Sequence, residues 1–210
     1  MKTLMLVGAT GLVGQHVLRL ALADTRVAWV AAPTRRPLPP HAKLKNPVVD
    51  FDHLPADVNW WQTDAVVCAL GTTMAKAGSK EAFRRVDLEL PLQVAKLSFR
   101  HGAQSFALNS ALGADADSRV FYSRTKGELE QALRAMKFPS LTLVRPGLLD
   151  GIRQENRPAE RVAIWVSKTL GSLLPRRYRV VPAQRVAHHL LESALAGELG
   201  VKVMQSEQLL

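Results

Sequence analysis

The sequence predicts an α/β fold, a doubly wound parallel sheet with helices on both faces and a small C-terminal segment (148–200) capping one edge. Three observations carry this reading. Short apolar runs rich in branched residues alternate with stretches whose apolar residues recur at helical spacing, from Thr3 to Val144. Glycines fall where strands turn into helices, first at Gly8, Gly11 and Gly14 and again at Gly71. The chain has 210 residues, 47% hydrophobic and 22% charged, enough for one domain (1–210) with a full core.

Thr3–Val7 reads as the first strand, and Gly8-Ala9-Thr10-Gly11-Leu12-Val13-Gly14 follows at once. Val13, Val17, Leu18, Leu20 and Ala21 then take up helical spacing. A strand, a glycine loop and a helix make a phosphate cradle. Backbone approaches the anion closely where side chains are absent, and the helix's first amides point at it. Gly8, Thr10, Gly11, Leu12, Val13 and Gly14 are therefore candidate dinucleotide contacts, set against a plain glycine turn. The spacing is Gly-x-x-Gly-x-x-Gly, unlike the Gly-x-Gly-x-x-Gly of many dehydrogenases.

Residues 26–32 read as the second strand, followed by Pro33-Thr34-Arg35-Arg36. An acid at this strand's end would hold the ribose hydroxyls of NAD. Here Arg35 and Arg36 stand instead, two guanidiniums suited to a phosphate, which argues for NADP (NADPH); an exposed basic loop is the alternative. Residues 46–51 are expected as the third strand, with Asp50 and Phe51 bordering an adenine, and residues 52–61 as a short helix or turn. Residues 64–70 make the fourth strand, and Leu70, Gly71 and Thr72 lie at the sheet edge where ligands bind.

A short helix is expected over 79–85 and a longer one from near Asp87, because Pro91 is tolerated only in a first turn. Residues 104–110 form the fifth strand and bring Ser110 to the edge that holds Gly8 and Gly71. Tyr122, Thr125, Leu129, Leu133 and Met136 set the next helix, and residues 141–147 the sixth strand. Beyond it come a charged loop (151–158), helices over 160–174 and 183–196, and a closing strand over 201–204.

Tyr122 and Lys126 stand four residues apart, on one face of that helix. A phenol ordinarily ionises near pH ~10. An ammonium beside it favours the phenolate, and such a Tyr exchanges a proton with a carbonyl or alcohol oxygen. Alone, the pair also fits a half-buried Tyr beside a solvated Lys.

The net charge is +10, with basic residues scattered and no aromatic interleaving. This favours a polyanionic cofactor over nucleic acid. No apolar run is long enough to cross a bilayer, and no His or Cys spacing predicts a metal site; His188 and His189 are adjacent and face different ways. Cys68, the single cysteine, excludes an internal disulfide and points to a buried thiol in a cytoplasmic setting.

The ordered set Cys68-Ala69-Leu70-Gly71-Thr72-Thr73, Lys76-Ala77-Gly78, Arg85-Val86-Asp87, Asn109-Ser110-Ala111-Leu112-Gly113-Ala114, Tyr122-x-x-x-Lys126-Gly127-Glu128, Arg145-Pro146-Gly147 and Arg153-Gln154-Glu155-x-Arg157-Pro158 resembles the atypical short-chain dehydrogenases/reductases. Within that Rossmann-like superfamily it is most similar to the Tat-interacting protein oxidoreductase group. The resemblance covers essentially the whole chain and implies roles. Ser110 would polarise a substrate carbonyl, Tyr122 would be general acid or base, and Lys126 would tune Tyr122 and hold the nicotinamide ribose. Arg145, Pro146 and Gly147 would border the cofactor. Many such sites carry an Asn where this chain has Asp87, so an Asn-dependent proton relay is not expected. Arg153 and Arg157 would either clamp an anionic substrate or pair with Glu155 and Glu160. The expected activity is NADP-dependent reduction or oxidation of a small carbonyl or alcohol. The alternative is a cofactor-binding regulatory module with a protein partner or a homodimer and little turnover.

Overall fold

Alternation along each strand decides which residues enter which layer. In β1 (Lys2–Val7), Leu4 and Leu6 join one core with Val17 and Val186, while Met5 and Val7 join the other with Trp61 and Leu129. Both faces of this strand are buried, as parallel sheets require, so its sequence reads as an unbroken apolar run. The computed structural model describes residues 1–150 and 175–210. The expected loop over 151–158, the helix over 160–174 and the pair Arg153 and Arg157 lie outside the described residues.

The remaining strands are β2 (Val27–Ala31), β3 (Leu44–Lys45), β4 (Ala65–Cys68), β5 (Ser105–Asn109), β6 (Ser140–Arg145), β7 (Leu149–Asp150), β8 (Val181–Pro182) and β9 (Gly200–Gln205). Six of them join β1 in one seven-stranded sheet, in the order β3-β2-β1-β4-β5-β6-β9, with every pairing parallel, and β7 pairs with β8 apart from it. Among the described residues the α-helices are α1 (Leu12–Ala23), α2 (Met74–Ala77), α3 (Lys80–Arg84), α4 (Leu90–Arg100), α5 (Phe121–Ala135) and α6 (Ala183–Ala196). Residues of α1 and α6 fill one core, and those of α4 and α5 the other. This is the doubly wound, Rossmann-like arrangement the alternation predicts.

The chain runs outward from β1 in both directions, to β2 on one side and β4 on the other. In such sheets a crevice opens at this reversal, beyond the carboxyl ends of the strands. Gly8 stands at its floor with φ +83°, and a Cβ there would lie 2.5 Å from the Ala69 carbonyl oxygen. Only glycine lets the ends of β1 and β4 close up in this way.

Two expectations need correction. The third strand is Leu44–Lys45, earlier than the expected 46–51. The Asn46 side chain turns back onto the Ala32 carbonyl and the Thr34 hydroxyl, and Pro47 has no N–H to offer a ladder. Pairing beyond it shrinks to one bridge, Thr34 to Val48. Nor does a new helix begin at Asp87: α3 passes through a π turn (Arg85–Glu89) directly into α4, with Leu90 N–H donating to the Arg85 carbonyl. In an unbroken α-helix the Pro91 ring would press on the Asp87 carbonyl, and the widened turn relieves this.

Arg26 ties the start of β2 to α6, donating to Asp24 and to Glu192. Its hydrogen bond is the main reason both carboxyls are held below their ordinary range. Depressed carboxylates stabilise the fold above that range and lose the contribution as pH falls through it. Arg26→Met should therefore lower the melting temperature at pH 7, and the gap to the parent should narrow as pH drops toward ~3; melts across that range check this.

Candidate active site

The glycine loop is built by close contacts. Gly11 N–H donates to the Gly8 carbonyl at 2.9 Å, and a Cβ on Gly14 would sit 2.0 Å from that same oxygen. Gly11 is the N-cap of α1 and no side chain caps the helix. The first-turn amides, among them those of Leu12, Val13 and Gly14, need partners that the helix itself does not supply. Thr10 is exposed beside them. Arg35 and Arg36 are exposed beyond β2, on a turn fixed by the Thr34 hydroxyl donating to the Arg36 carbonyl at 2.6 Å. Asp50 pairs with His53 at 2.9 Å, which raises the imidazole's affinity for its proton. The carbonyl of Phe51 accepts from Arg85, which also pairs with Asp52.

A second cluster forms where α5 meets the loop after β4. Helical spacing sets Tyr122 one turn before Lys126, the phenol 37% exposed and the lysine 4% exposed. The Tyr122 ring leans on Phe83, with centroids 5.6 Å apart. Lys126 Nζ lies 2.7 Å from Oδ1 of fully buried Asp87, a contact of opposite charges whose angle falls outside hydrogen-bond geometry. The other oxygen, Oδ2, accepts the Thr72 N–H at 2.8 Å. A Cβ on Gly71 would stand 3.4 Å from Asp87 Oδ1 and 3.7 Å from Lys126 Nζ, so the bare glycine edge faces this ion pair. Burial pulls the Lys126 pKa down, but the charges of Asp87 and Tyr122 more than offset it, and the ammonium persists above its ordinary range. Cys68 lies beneath, its thiol pushed by burial up to about 11 and so protonated and inert at neutral pH.

Ser110 arrives at the same sheet edge, but its hydroxyl is engaged. Oγ donates to Glu130 Oε1 at 2.5 Å, and Arg145 grips both oxygens of that carboxylate. Ser110 is 5% exposed and Glu130 2%. A hydroxyl has one proton, so Ser110 in this arrangement offers a ligand only lone pairs. Arg145, expected at the cofactor, is committed to Glu130, because a buried carboxylate needs a counter-charge. Gly147 N–H donates to the Ser206 hydroxyl at 3.1 Å, and the Pro146 carbonyl accepts from Leu112 N–H. The structure thus joins Lys126 to the Gly71–Thr72 loop through Asp87, with Tyr122 one turn before Lys126, and holds Ser110 and Arg145 on Glu130, one turn farther along α5.

The sequence marks Asp87 only as a substitution for Asn, and the structure adds Glu130 to the site. Glu130 had a signal: an acid between Leu129 and Leu133, four residues after Lys126, lies on the buried side of α5 and demands a partner. Among the described residues no group of His, Cys, Asp or Glu could hold a metal ion, and no helix is long and apolar enough to cross a membrane.

No family model matches the chain. It is 34% identical over 183 residues to the mitochondrial protein fmp52 of Emericella nidulans, spanning 82% of this chain and 78% of that one. It is 32% identical over 203 residues to protein HTATIP2 of Rattus norvegicus, spanning 93% and 82%. Among solved structures it is similar to MoeE5 in complex with UDP-glucuronic acid and NAD, with TM-score 0.73, 17% identity, and 96% of this chain and 75% of that chain covered. The oxidoreductase ylbE from Lactococcus lactis superposes with TM-score 0.65 and 18% identity, covering 99% and 94%. The fungal relatives are named as mitochondrial, which overturns the cytoplasmic setting expected from Cys68. One reduced, buried cysteine reports a reducing environment and does not distinguish one such compartment from another.

Removing the Glu130 carboxylate would strand Arg145 and release Ser110. Glu130→Ala should cost about 3 kcal/mol of stability, within the range for breaking buried ion pairs, measured by urea unfolding against the parent.

Proposed function

We propose a function from one premise: the chain belongs to the family of FMP52 and HTATIP2, the Tat-interacting protein, among the atypical short-chain dehydrogenases/reductases. We read it as an NADP(H)-dependent oxidoreductase acting on a small carbonyl or alcohol. The observation that carries this is the half-exposed Tyr122 phenol one turn from a buried, charged Lys126 that Asp87 ties to the Gly71–Thr72 loop.

The chain's residues fit a nicotinamide dinucleotide. Gly8 and Gly14 let the loop fold backbone against backbone where a Cβ would clash, and the amides of Leu12 and Val13 open the helix beside it. Arg35 and Arg36 stand exposed where the 2′-phosphate of NADP would lie, and Leu70, Gly71 and Thr72 border the path toward Tyr122. Such a cofactor, when bound, supplies the two-electron reducing or oxidising chemistry that side chains lack. Tyr122 donates its phenolic proton to the carbonyl oxygen in reduction and takes it back from the alcohol in oxidation. Lys126 keeps positive charge beside the site and would hold the ribose of such a cofactor. Tyr122→Phe should lower turnover at least ~100-fold, the scale of a lost general acid, while NADPH affinity changes little. Turnover surviving that change would sink the proton-transfer role.

A second reading has its own observation. The Ser110 proton is held by Glu130, leaving the expected carbonyl-polarising group committed elsewhere. This favours a cofactor-binding regulatory module with a protein partner and little turnover. Tight NADPH binding without activity across a panel of aldehydes, ketones and quinones would support it, and turnover of any of them would count against it.

A further inference from the structure

We infer that Arg85 is a positioning residue for the adenine half of the cofactor: from the π turn it holds residues 50–53 in place as a preformed wall of the adenine pocket. The inference deepens the reading of the crevice as a dinucleotide site and rests on it.

The segment 50–53 is a turn that closes on itself. Asp52 N–H donates to Asp50 Oδ1 at 2.9 Å, and His53 N–H donates to the Asp50 carbonyl at 3.2 Å. These bonds shape the turn without placing it, since each begins and ends inside it. Its flanks are anchored: Val49 N–H donates to the Thr34 carbonyl at 2.9 Å, and Leu54 is buried in the core. Between the flanks, Arg85 takes hold of the middle. Its Nε and Nη2 lie 3.1 and 2.9 Å from Asp52 Oδ1, and Nη2 donates to the Phe51 carbonyl at 3.3 Å. A planar guanidinium presents several donors in a fixed fork, as this double grip requires.

The Arg85 and Asp52 side chains are 34% and 69% exposed, so their ion pair contributes little to stability. Its effect is on where the turn sits. The π turn has a matching hold on the other side: Asp87 Oδ2 accepts the Thr72 N–H at 2.8 Å. Residues two apart on a helical turn face away from each other, so one short element, Arg85–Glu89, reaches two loops. These are the loops assigned to the adenine and to the path toward Tyr122. Such π turns recur at functional sites. A wall already in place spares the ligand the entropy of ordering it, which raises affinity without any new contact. The guanidinium is engaged by Asp52 and Phe51, with Glu89 3.6 Å away, so Arg85 acts through the turn and not as a phosphate ligand.

Calorimetric titration with adenosine 2′,5′-bisphosphate, the adenine half of NADP, tests this without substrate or turnover. Arg85→Met should weaken binding at least ~fivefold, the scale of a lost exposed ion pair, while the urea unfolding midpoint moves little. Arg84→Met removes the same charge next door, where the partner is Glu128 on α5 at 2.6 Å, and should change affinity less than twofold. Asp52→Asn, on the exposed turn, should weaken binding in the same direction, and the double variant should bind no worse than Arg85→Met. Unchanged affinity in Arg85→Met, an equal loss in Arg84→Met, or losses that add in full in the double variant would each overturn the inference. If Arg85→Met fails to fold, unchanged affinity in Asp52→Asn overturns it. A parent that binds NADPH but not the bisphosphate overturns this inference alone; a parent that binds neither overturns the dinucleotide reading with it.

Discussion

The site depends on one buried ion pair. Lys126 on α5 would be costly at 4% exposure without a counter-charge, and Asp87 supplies it from the π turn between α3 and α4. The same carboxylate fixes Thr72 and so the loop after β4. Three segments far apart in sequence, 71–72, 85–89 and 121–135, therefore take up one arrangement. A buried pair of this kind contributes little net stability, since desolvation offsets attraction. Its consequence is specificity of placement: the loop, the π turn and the helix cannot shift independently without stranding a charge.

A second buried carboxylate repeats the device. Glu130 accepts hydrogen bonds from the Ser110 hydroxyl and from both ends of the Arg145 fork, fixing the ends of β5 and β6 to α5. The two networks stand one helical turn apart on α5 and divide the expected catalytic set. Tyr122 and Lys126 belong to one, Ser110 to the other. That division sets the balance between the oxidoreductase reading and the regulatory one, because a carbonyl approaching Ser110 meets a hydroxyl whose proton is already hydrogen-bonded to Glu130.

Most of the fold was legible in the sequence because it rests on local signals. Apolar runs and helical spacing placed the sheet order's ingredients, and α6 falls at Ala183–Ala196, the span expected from its periodicity. The failures came where one side chain or one missing N–H overrode the pattern. Asn46 and Pro47 pulled the third strand back, and Pro91 turned a helix boundary into a π turn. At the site, the spacing of Tyr122 and Lys126 was readable along a single helix. Pairings between distant segments, such as Asp87 with Lys126 and Glu130 with Ser110 and Arg145, span 15 to 39 residues, and no local pattern encodes them. The compartment was misjudged for a simpler reason, since cysteine content speaks to redox state alone.

The central claim is that the crevice at Gly8, Gly11 and Gly14 holds a nicotinamide dinucleotide with Arg35 and Arg36 at its phosphate end. Parallel fluorescence titrations of the protein with NADPH and NADH test it most directly. The account predicts saturable binding of both with NADPH clearly the tighter. No saturable binding of either would contradict the site, and tighter binding of NADH would contradict the role of the two arginines.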